Sequence, residues 1–313
     1  MTPTCAFTSL RLENFKQTGA REIRLDRVSV VEGGAGLARS QVLDAMWLLR
    51  SIAEGRDTSA APAAWFGADW PTAISVTFNT QKDGELRYSV MLQRIGEERV
   101  RVTDERLESA SGTLLLRHRH SYSLDATCGR YGIGSQEFAL HNATSLLDGA
   151  DSAHELVKWL RNIWVLNPNP SAMRGLIGHS TVNAGDAGFA NLATCIVMQQ
   201  LKPEVVSAMT ETVCSLSPEV RRYSVERNEE GRPYLAVYRS SDLDGKGTSF
   251  GNLENAEKMS FLMAFVCAMN EHSEPMPVAW DSPLNWFGAR ERENVSKLLR
   301  RSFSRRGQLV MLA

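Results

Sequence analysis

Glycines at positions 33 and 36, an arginine at 39 and a serine at 40 lie between the β-branched run "VSVV" and a stretch of helical periodicity. Strand, glycine-rich loop, helix is the layout of a loop that wraps phosphates. Glycine lets backbone N–H groups approach the oxygens closely, and a helix start favours negative charge. The full pattern is G-x-x-x-x-G-K-[ST]. Gly33 and Ser40 fill its first and last positions and Gly36 supports the loop, but Ala38 and Arg39 stand at the second glycine and the lysine. Read alone, the stretch is equally a structural strand-to-helix turn. Far downstream, "PVAWDSPLNWF" is an apolar strand ending in Asp281, a carboxylate of the kind that holds Mg²⁺ through water, with the Ser40 hydroxyl as the second ligand. A lone strand-ending aspartate is also an ordinary turn or helix-capping residue.

These groups need elements to hold them. "TSLRLENFKQTGAREIRLDRVSVV" alternates in two bursts, as two strands and a turn would. From Ser40 to about Glu54, Val42, Leu43, Met46, Leu48 and Leu49 recur at helical spacing. "SAAPAAWFGADWP" reads as a surface loop. Residues 73–130 alternate again, with a turn at "QKDGE", and predict an antiparallel meander. "SAHELVKWLRNIWVLNP" switches to helical period from Ser152, and residues 186–214 continue it. A strand pair around "NEEGRP", the apolar helix "NAEKMSFLMAFVCAMNEH", the strand "MPVAW", a helix around "ARERENVSKLLRRSF" and the strand "GQLVMLA" complete the chain. The run "RHRH" (Arg117 to His120) is expected to be a solvated strand face.

With 35 basic and 36 acidic residues, the net charge of -1 gives no global attraction to nucleic acid or membrane. The five cysteines, Cys5, Cys128, Cys195, Cys214 and Cys267, are odd in number and lack C-x-x-C pairing, so reduced thiols in a cytoplasmic protein are expected. No basic-then-apolar leader opens the chain, and "MSFLMAFVCAM" is too short to span a bilayer, so no membrane association is expected.

Taken in order, "LRLENFK", "VSVVEGGAGLARSQVLDAMWLL", "AEKMSFLMAFV", "VAWDSPLNWFG" and "GQLVMLA" resemble the landmarks of ABC-type ATPase heads. The resemblance is to the RecF/SMC/OLD-like bacterial AAA family with short or no coiled coils. It implies an α/β P-loop fold with a β-rich lobe and a helical insertion. A single head over residues 1–313 would comprise 1–145 (phosphate loop and antiparallel lobe), 146–215 (helical insertion) and 216–313 (signature-like helix and Walker B-like strand). It implies ATP with Mg²⁺ as the cofactor such a pocket takes. It also implies pairing of heads, so that one subunit's signature segment faces the other's phosphate loop.

Each catalytic landmark of that family is altered. Arg39 replaces the lysine, and a planar fork does not fit a slot shaped for a slim ammonium. Ser282 stands where the family has the glutamate that polarises water, and losing a positioned base costs roughly 10²–10⁴-fold in rate. "LENAEK" set against the signature puts Glu254 at its serine and Ala256 at its glycine, while Glu257 and Lys258 match. A carboxylate about 4 Å from a phosphate charge is repelled by about 4 kcal/mol at an effective dielectric near 20. That exceeds the roughly 1.5–3 kcal/mol of a hydroxyl hydrogen bond to a charged group. A shifted register would make "SFGN" (Ser249, Gly251) the signature. The family's switch histidine would follow the last strand and falls just past Ala313.

The expectation is therefore a pseudo-ATPase without intrinsic hydrolysis, its nucleotide-binding residues Gly33, Gly36, Arg39, Ser40 and Asp281 vestigial. It would be a structural or regulatory subunit, paired with itself or with an ATPase or nuclease as in DNA-repair and phage-defence complexes. Two alternatives stay open. One is a divergent ATPase working with a partner subunit. The other is a nucleotide-independent DNA-binding module using "KLLRRSFSRR", in particular Arg300, Arg301, Arg305 and Arg306.

Overall fold

The computed structural model describes residues 5–17, 19–33, 39–67, 70–80, 84–124, 129–144, 146, 152–177, 189–198, 202–242 and 245–313. Gly36, Ala38 and Cys128 lie outside them. The chain divides into two compact units: residues 1–163 with 277–279 and 312–313, and residues 164–276 with 280–311.

The first unit is built on an eight-stranded antiparallel sheet. Its strands are β1 (Ala6–Glu13), β2 (Arg21–Arg24), β4 (Thr72–Asn79), β5 (Glu85–Ile95), β6 (Arg99–Ser109), β7 (Gly112–His118), β8 (Ser121–Leu124) and β9 (Gly129–Gly132), with β3 (Val28–Val31) apart. The order is β2-β1-β4-β5-β6-β7-β8-β9. The meander follows from the period-two pattern: Leu86, Tyr88, Val90 and Leu92 on β5, and Ile74, Val76 and Phe78 on β4, are fully buried on one face. Register places Val76 opposite Tyr88 and Phe78 opposite Leu86. Gly84 and Gly96, at φ 71°, occupy left-handed turn positions that side chains disfavour. Helix α1 (Arg39–Ala53) buries its Val42, Leu43, Met46, Leu49 stripe, and α2 (Ala139–Ala143) and α3 (Ser152–Arg161) pack beside it. Trp159 of α3 meets Phe7 and Phe78 at ring centroids of 6.4 and 6.1 Å, which fixes this helix on the sheet.

Two expectations need correction here. "SAAPAAWFGADWP" is not a plain surface loop: Ala61 and Phe66 are buried, and Trp65 packs edge-on against Phe15 and Trp47. Aromatic rings pull a Pro/Ala-rich segment into the core although its composition suggests solvent. Nor is "RHRH" wholly solvated. His118, Arg119 and His120 are exposed, but Arg117 is fully buried. Its guanidinium donates to the carbonyls of Arg119, Glu137 and Gly134 and lies 3.8 Å from buried Glu105.

The second unit holds β10 (Trp164–Leu166), α4 (Leu192–Met198), α5 (Pro203–Leu216), β11 (Val220–Arg227), β12 (Pro233–Arg239), β13 (Thr248–Ser249), α6 (Asn255–His272) and α7 (Ala289–Phe303). Strands β11, β12 and β13 form an antiparallel sheet in that order. Helix α6 is buried from Glu257 through Ala268, as a helix apolar all round must be, with α5 and α7 against it. Tyr223 and Phe250 pack edge-on against Phe261. Strands β14 (Pro277–Asp281) and β15 (Gln308–Leu312) are divided between the units. In the first unit the end of β15 joins β3, and the Ala313 N–H donates to the Val31 carbonyl at 3.1 Å. In the second, β10 borders β14. No helix among the described residues is long and apolar enough to cross a membrane.

Candidate functional site

In the first unit, β3 runs out at Val31 and α1 opens at Arg39, so Gly33 and Ser40 bracket a strand-to-helix loop as the motif requires. Gly33, Arg39 and Ser40 are exposed. A Cβ at Gly33 would sit 3.6 Å from both Cγ and Nε of Arg39, so the arginine side chain folds back along the start of the loop. The first turn of α1 carries no acidic residue, and a helix start favours negative charge.

Another cation stands near this helix, and sequence reasoning passed over it. Lys16 pairs with Asp44 of α1 and lies over the Trp65 ring, 4.8 Å from its centroid. It sits in a turn where Asn14, Lys16 and Gln17 all have positive φ (55°, 50° and 62°). Such a conformation costs non-glycine residues of order 1–3 kcal/mol each and is kept only where surroundings enforce it. "ENFKQT" contains no glycine to signal the turn. Its one cue is the "NFK" landmark.

In the second unit, β14 delivers Asp281 at the end of a buried run: residues 277–280 are buried, Trp280 completely, and Asp281 is half-buried. The Ser282 hydroxyl donates to Asp281 Oδ1 at 2.8 Å, with Ser282 itself at φ 45°. One carboxylate oxygen is thus engaged by the residue that stands in place of the expected glutamate.

The signature-like segment opens α6. Glu254 is exposed, whereas Glu257 and Lys258 are buried. The Glu257 carboxylate accepts the Glu254 backbone N–H at 2.9 Å and a forked contact from Arg239 at 2.6 Å to each oxygen. Glu257 therefore braces the helix start. In the other register, a Cβ on Gly175 would lie 2.5 Å from Ser249 Oγ and 2.7 Å from the Gly251 nitrogen, so small residues at 249–251 serve close backbone packing there.

Gly33, Arg39 and Ser40 thus belong to the first unit, and Asp281 and Glu254–Lys258 to the second, so no single unit holds them all. Among the described residues no group of three or more His, Cys, Asp or Glu side chains is placed to hold a metal. In the first unit Arg39 lies along Gly33, and in the second Asp281 has Ser282 on one oxygen.

No family model matches the sequence, and no curated protein matches it. Solved structures do. An Smc head bound to the C-winged helix domain of ScpA aligns over 98% of this chain and 89% of its own at a TM-score of 0.56 and 13% identity. An Smc head domain with an extended coiled coil, bound to the C-terminal domain of ScpA derived from Pyrococcus furiosus, aligns over 99% and 90% at 0.54 and 12%. The fold is that of an SMC ATPase head. At this identity the likeness establishes the head fold alone. In this head fold the large antiparallel sheet and the surrounding helices agree with the mixed α/β expectation.

Proposed function

We propose that this chain is a non-hydrolysing head subunit: an ABC-type ATPase fold of the RecF/SMC/OLD-like kind whose catalytic groups have been replaced. The observation that carries the reading is the Ser282–Asp281 hydrogen bond of 2.8 Å. A hydroxyl there cannot take a proton from attacking water, and it ties up an oxygen of the one remaining carboxylate. The folded-back Arg39 and the exposed Glu254 carboxylate support the same conclusion. Such a subunit acts through pairing, with itself or with an active ATPase or nuclease, in a cytoplasmic assembly of the DNA-repair or phage-defence type.

The test is turnover. The purified chain with Mg²⁺ and ATP is expected to release no phosphate above the background of Asp281→Ala. Hydrolysis by the wild-type chain that Asp281→Ala abolishes refutes the proposal.

A second reading is favoured by one observation. The acid-free start of α1 with Arg39 beside Gly33 keeps a cation at the loop, so nucleotide is held without being split unless a partner completes the site. Micromolar, Mg²⁺-dependent binding of labelled ATP, lost in Ser40→Ala, would mark that case.

A further inference from the structure

In the sheet of the second unit β11 is an outermost strand, and among the described residues no backbone group pairs with its outer side. Ladder geometry dictates which of its groups lie open. At the turn the Asn228 N–H donates to the Arg232 carbonyl, and Pro233, opposite Arg227, has no N–H to give. Alternation along an antiparallel pair then turns the N–H and C=O of Ser224 and Glu226 toward β12, and those of Tyr223, Val225 and Arg227 outward. Such an open row is a template for another strand, and edge strands are commonly blunted by proline, lysine or a bulge. β11 contains neither proline nor lysine, and its register shift is confined to Val220–Arg222.

One face of this strand holds two charges in fixed positions. Arg222 lies over the Tyr238 ring, 4.0 Å from its centroid, and Glu226 accepts the Tyr234 hydroxyl at 2.9 Å. Neither has an opposite charge in contact among the described residues. A guanidinium held by its flat face keeps its N–H edges free, and a carboxylate with one oxygen engaged keeps the other. The two charges flank Ser224 symmetrically, one two residues before it and one two residues after. A second copy of β11 running antiparallel about a two-fold axis at Ser224 therefore sets Arg222 opposite Glu226 of the second copy, and Glu226 opposite its Arg222. On the other face the same register sets Tyr223 opposite Val225, an aromatic and β-branched pair, and Val225 is exposed in the single chain. The outward backbone groups of Tyr223 and Val225 then exchange both hydrogen bonds across the axis. Arg221 and Arg227 meet as like charges, but each is already turned to its own chain: Arg221 to Ser240 Oγ at 3.1 Å, Arg227 to the Gly231 carbonyl at 2.7 Å.

We propose that the chain self-associates by antiparallel pairing of β11 with β11 of a second copy, in the register that sets Ser224 opposite Ser224. A basic or an acidic partner strand would answer only one of the two fixed charges, whereas a two-fold copy answers both. This surface includes no residue of the phosphate loop, of the Asp281 turn or of the signature-like segment. The pairing therefore holds or fails independently of nucleotide chemistry.

The test is sedimentation velocity of the full chain at low salt, without nucleotide, from micromolar to several hundred micromolar protein. The wild-type chain is expected to form dimers. Arg222→Glu and Glu226→Arg, each alone, set two like-charged pairs across the axis and should raise the dimer dissociation constant about tenfold or more. The double variant, Arg222→Glu with Glu226→Arg, reverses both signs and should return it to within about threefold of wild type. Val225→Pro removes an outward N–H that β12 does not use and should leave a folded monomer, with thermal melts confirming the fold. The proposal is overturned if the wild-type chain stays monomeric throughout or if folded Val225→Pro dimerises as wild type does. It also fails if the double swap associates as weakly as the single swaps, and that comparison decides the register even if the proline variant does not fold.

Discussion

Arg239 grips the carboxylate of Glu257 with one nitrogen 2.6 Å from each oxygen, tying the last strand of a hairpin to the first turn of the buried helix α6. Glu257, expected from the sequence to match the signature pattern together with Lys258, here braces the start of α6.

Removing either partner leaves the other charged and poorly solvated. Glu257→Ala and Arg239→Ala are each expected to lower unfolding free energy by about 1.5–3 kcal/mol, the range for hydrogen bonds to charged groups. The double variant should cost less than the sum of the two. Urea titration of the four-member cycle measures this coupling; strict additivity would show that the pair contributes nothing.

A second prediction concerns the buried network of the β-rich unit. Glu105 accepts the N–H groups of Ala139 and Leu140 at 2.7 Å each and the Tyr88 hydroxyl at 2.8 Å, with Arg117 nearby. Burial pushes its carboxyl above the ordinary value, against the pull of those donors and of Arg117. The folded chain therefore holds this proton more tightly than the unfolded one. The stability it supplies is complete below the ordinary carboxylate range and is lost as pH rises through the raised value. Glu105→Gln cannot ionise and should flatten that decline as pH rises above the ordinary carboxylate range. It should also cost about 1–3 kcal/mol, because one amide oxygen cannot accept what two carboxylate oxygens do. Urea titrations at several pH values would show an unchanged slope if Glu105 is not responsible.

Gly307 is expected to resist substitution. A Cβ there would meet Asn270 Oδ1 at 2.1 Å and the Met276 carbonyl at 2.7 Å, on a backbone at φ 65°. Gly307→Ala should destabilise by at least about 1–3 kcal/mol, the cost of one strained backbone position. A melting temperature equal to wild type would contradict the geometry.

The thiols should separate by burial. Cys267 is enclosed and its thiol is pushed up to about 12, chiefly by loss of solvent, while Cys5 and Cys214 are partly exposed. The thiolate is the reactive form. Alkylation of the native chain near neutral pH should label Cys5 and Cys214 and spare Cys267 until denaturant is added, as mass spectrometry of the peptides would show.

Much of the fold is legible in the sequence. The meander of β4 to β7, the amphipathic α1, the buried α6 and the final strand all come from local periodicity, because each buries one face or every face of a regular element. Other features depended on neighbours far away in sequence. Arg117 reads as surface charge until Glu105 and the carbonyls of Gly134 and Glu137 surround it. Lys16 reads as an ordinary surface lysine until Asp44 and Trp65 engage it. Trp65 and Phe66 read as loop residues until Phe15 packs against them.

For the candidate site the division is similar. Residue identity by itself determined which functional groups are present, Arg39, Asp281, Ser282 and Glu254 among them, since no folding can supply a group that a side chain lacks. Tertiary structure decided what these groups do. It laid Arg39 along Gly33, gave the Ser282 hydroxyl to Asp281 and fastened Glu257 to Arg239. Periodicity reports which face of an element is buried, but a hydrogen-bond partner is chosen only when two distant segments come within about 3 Å of each other.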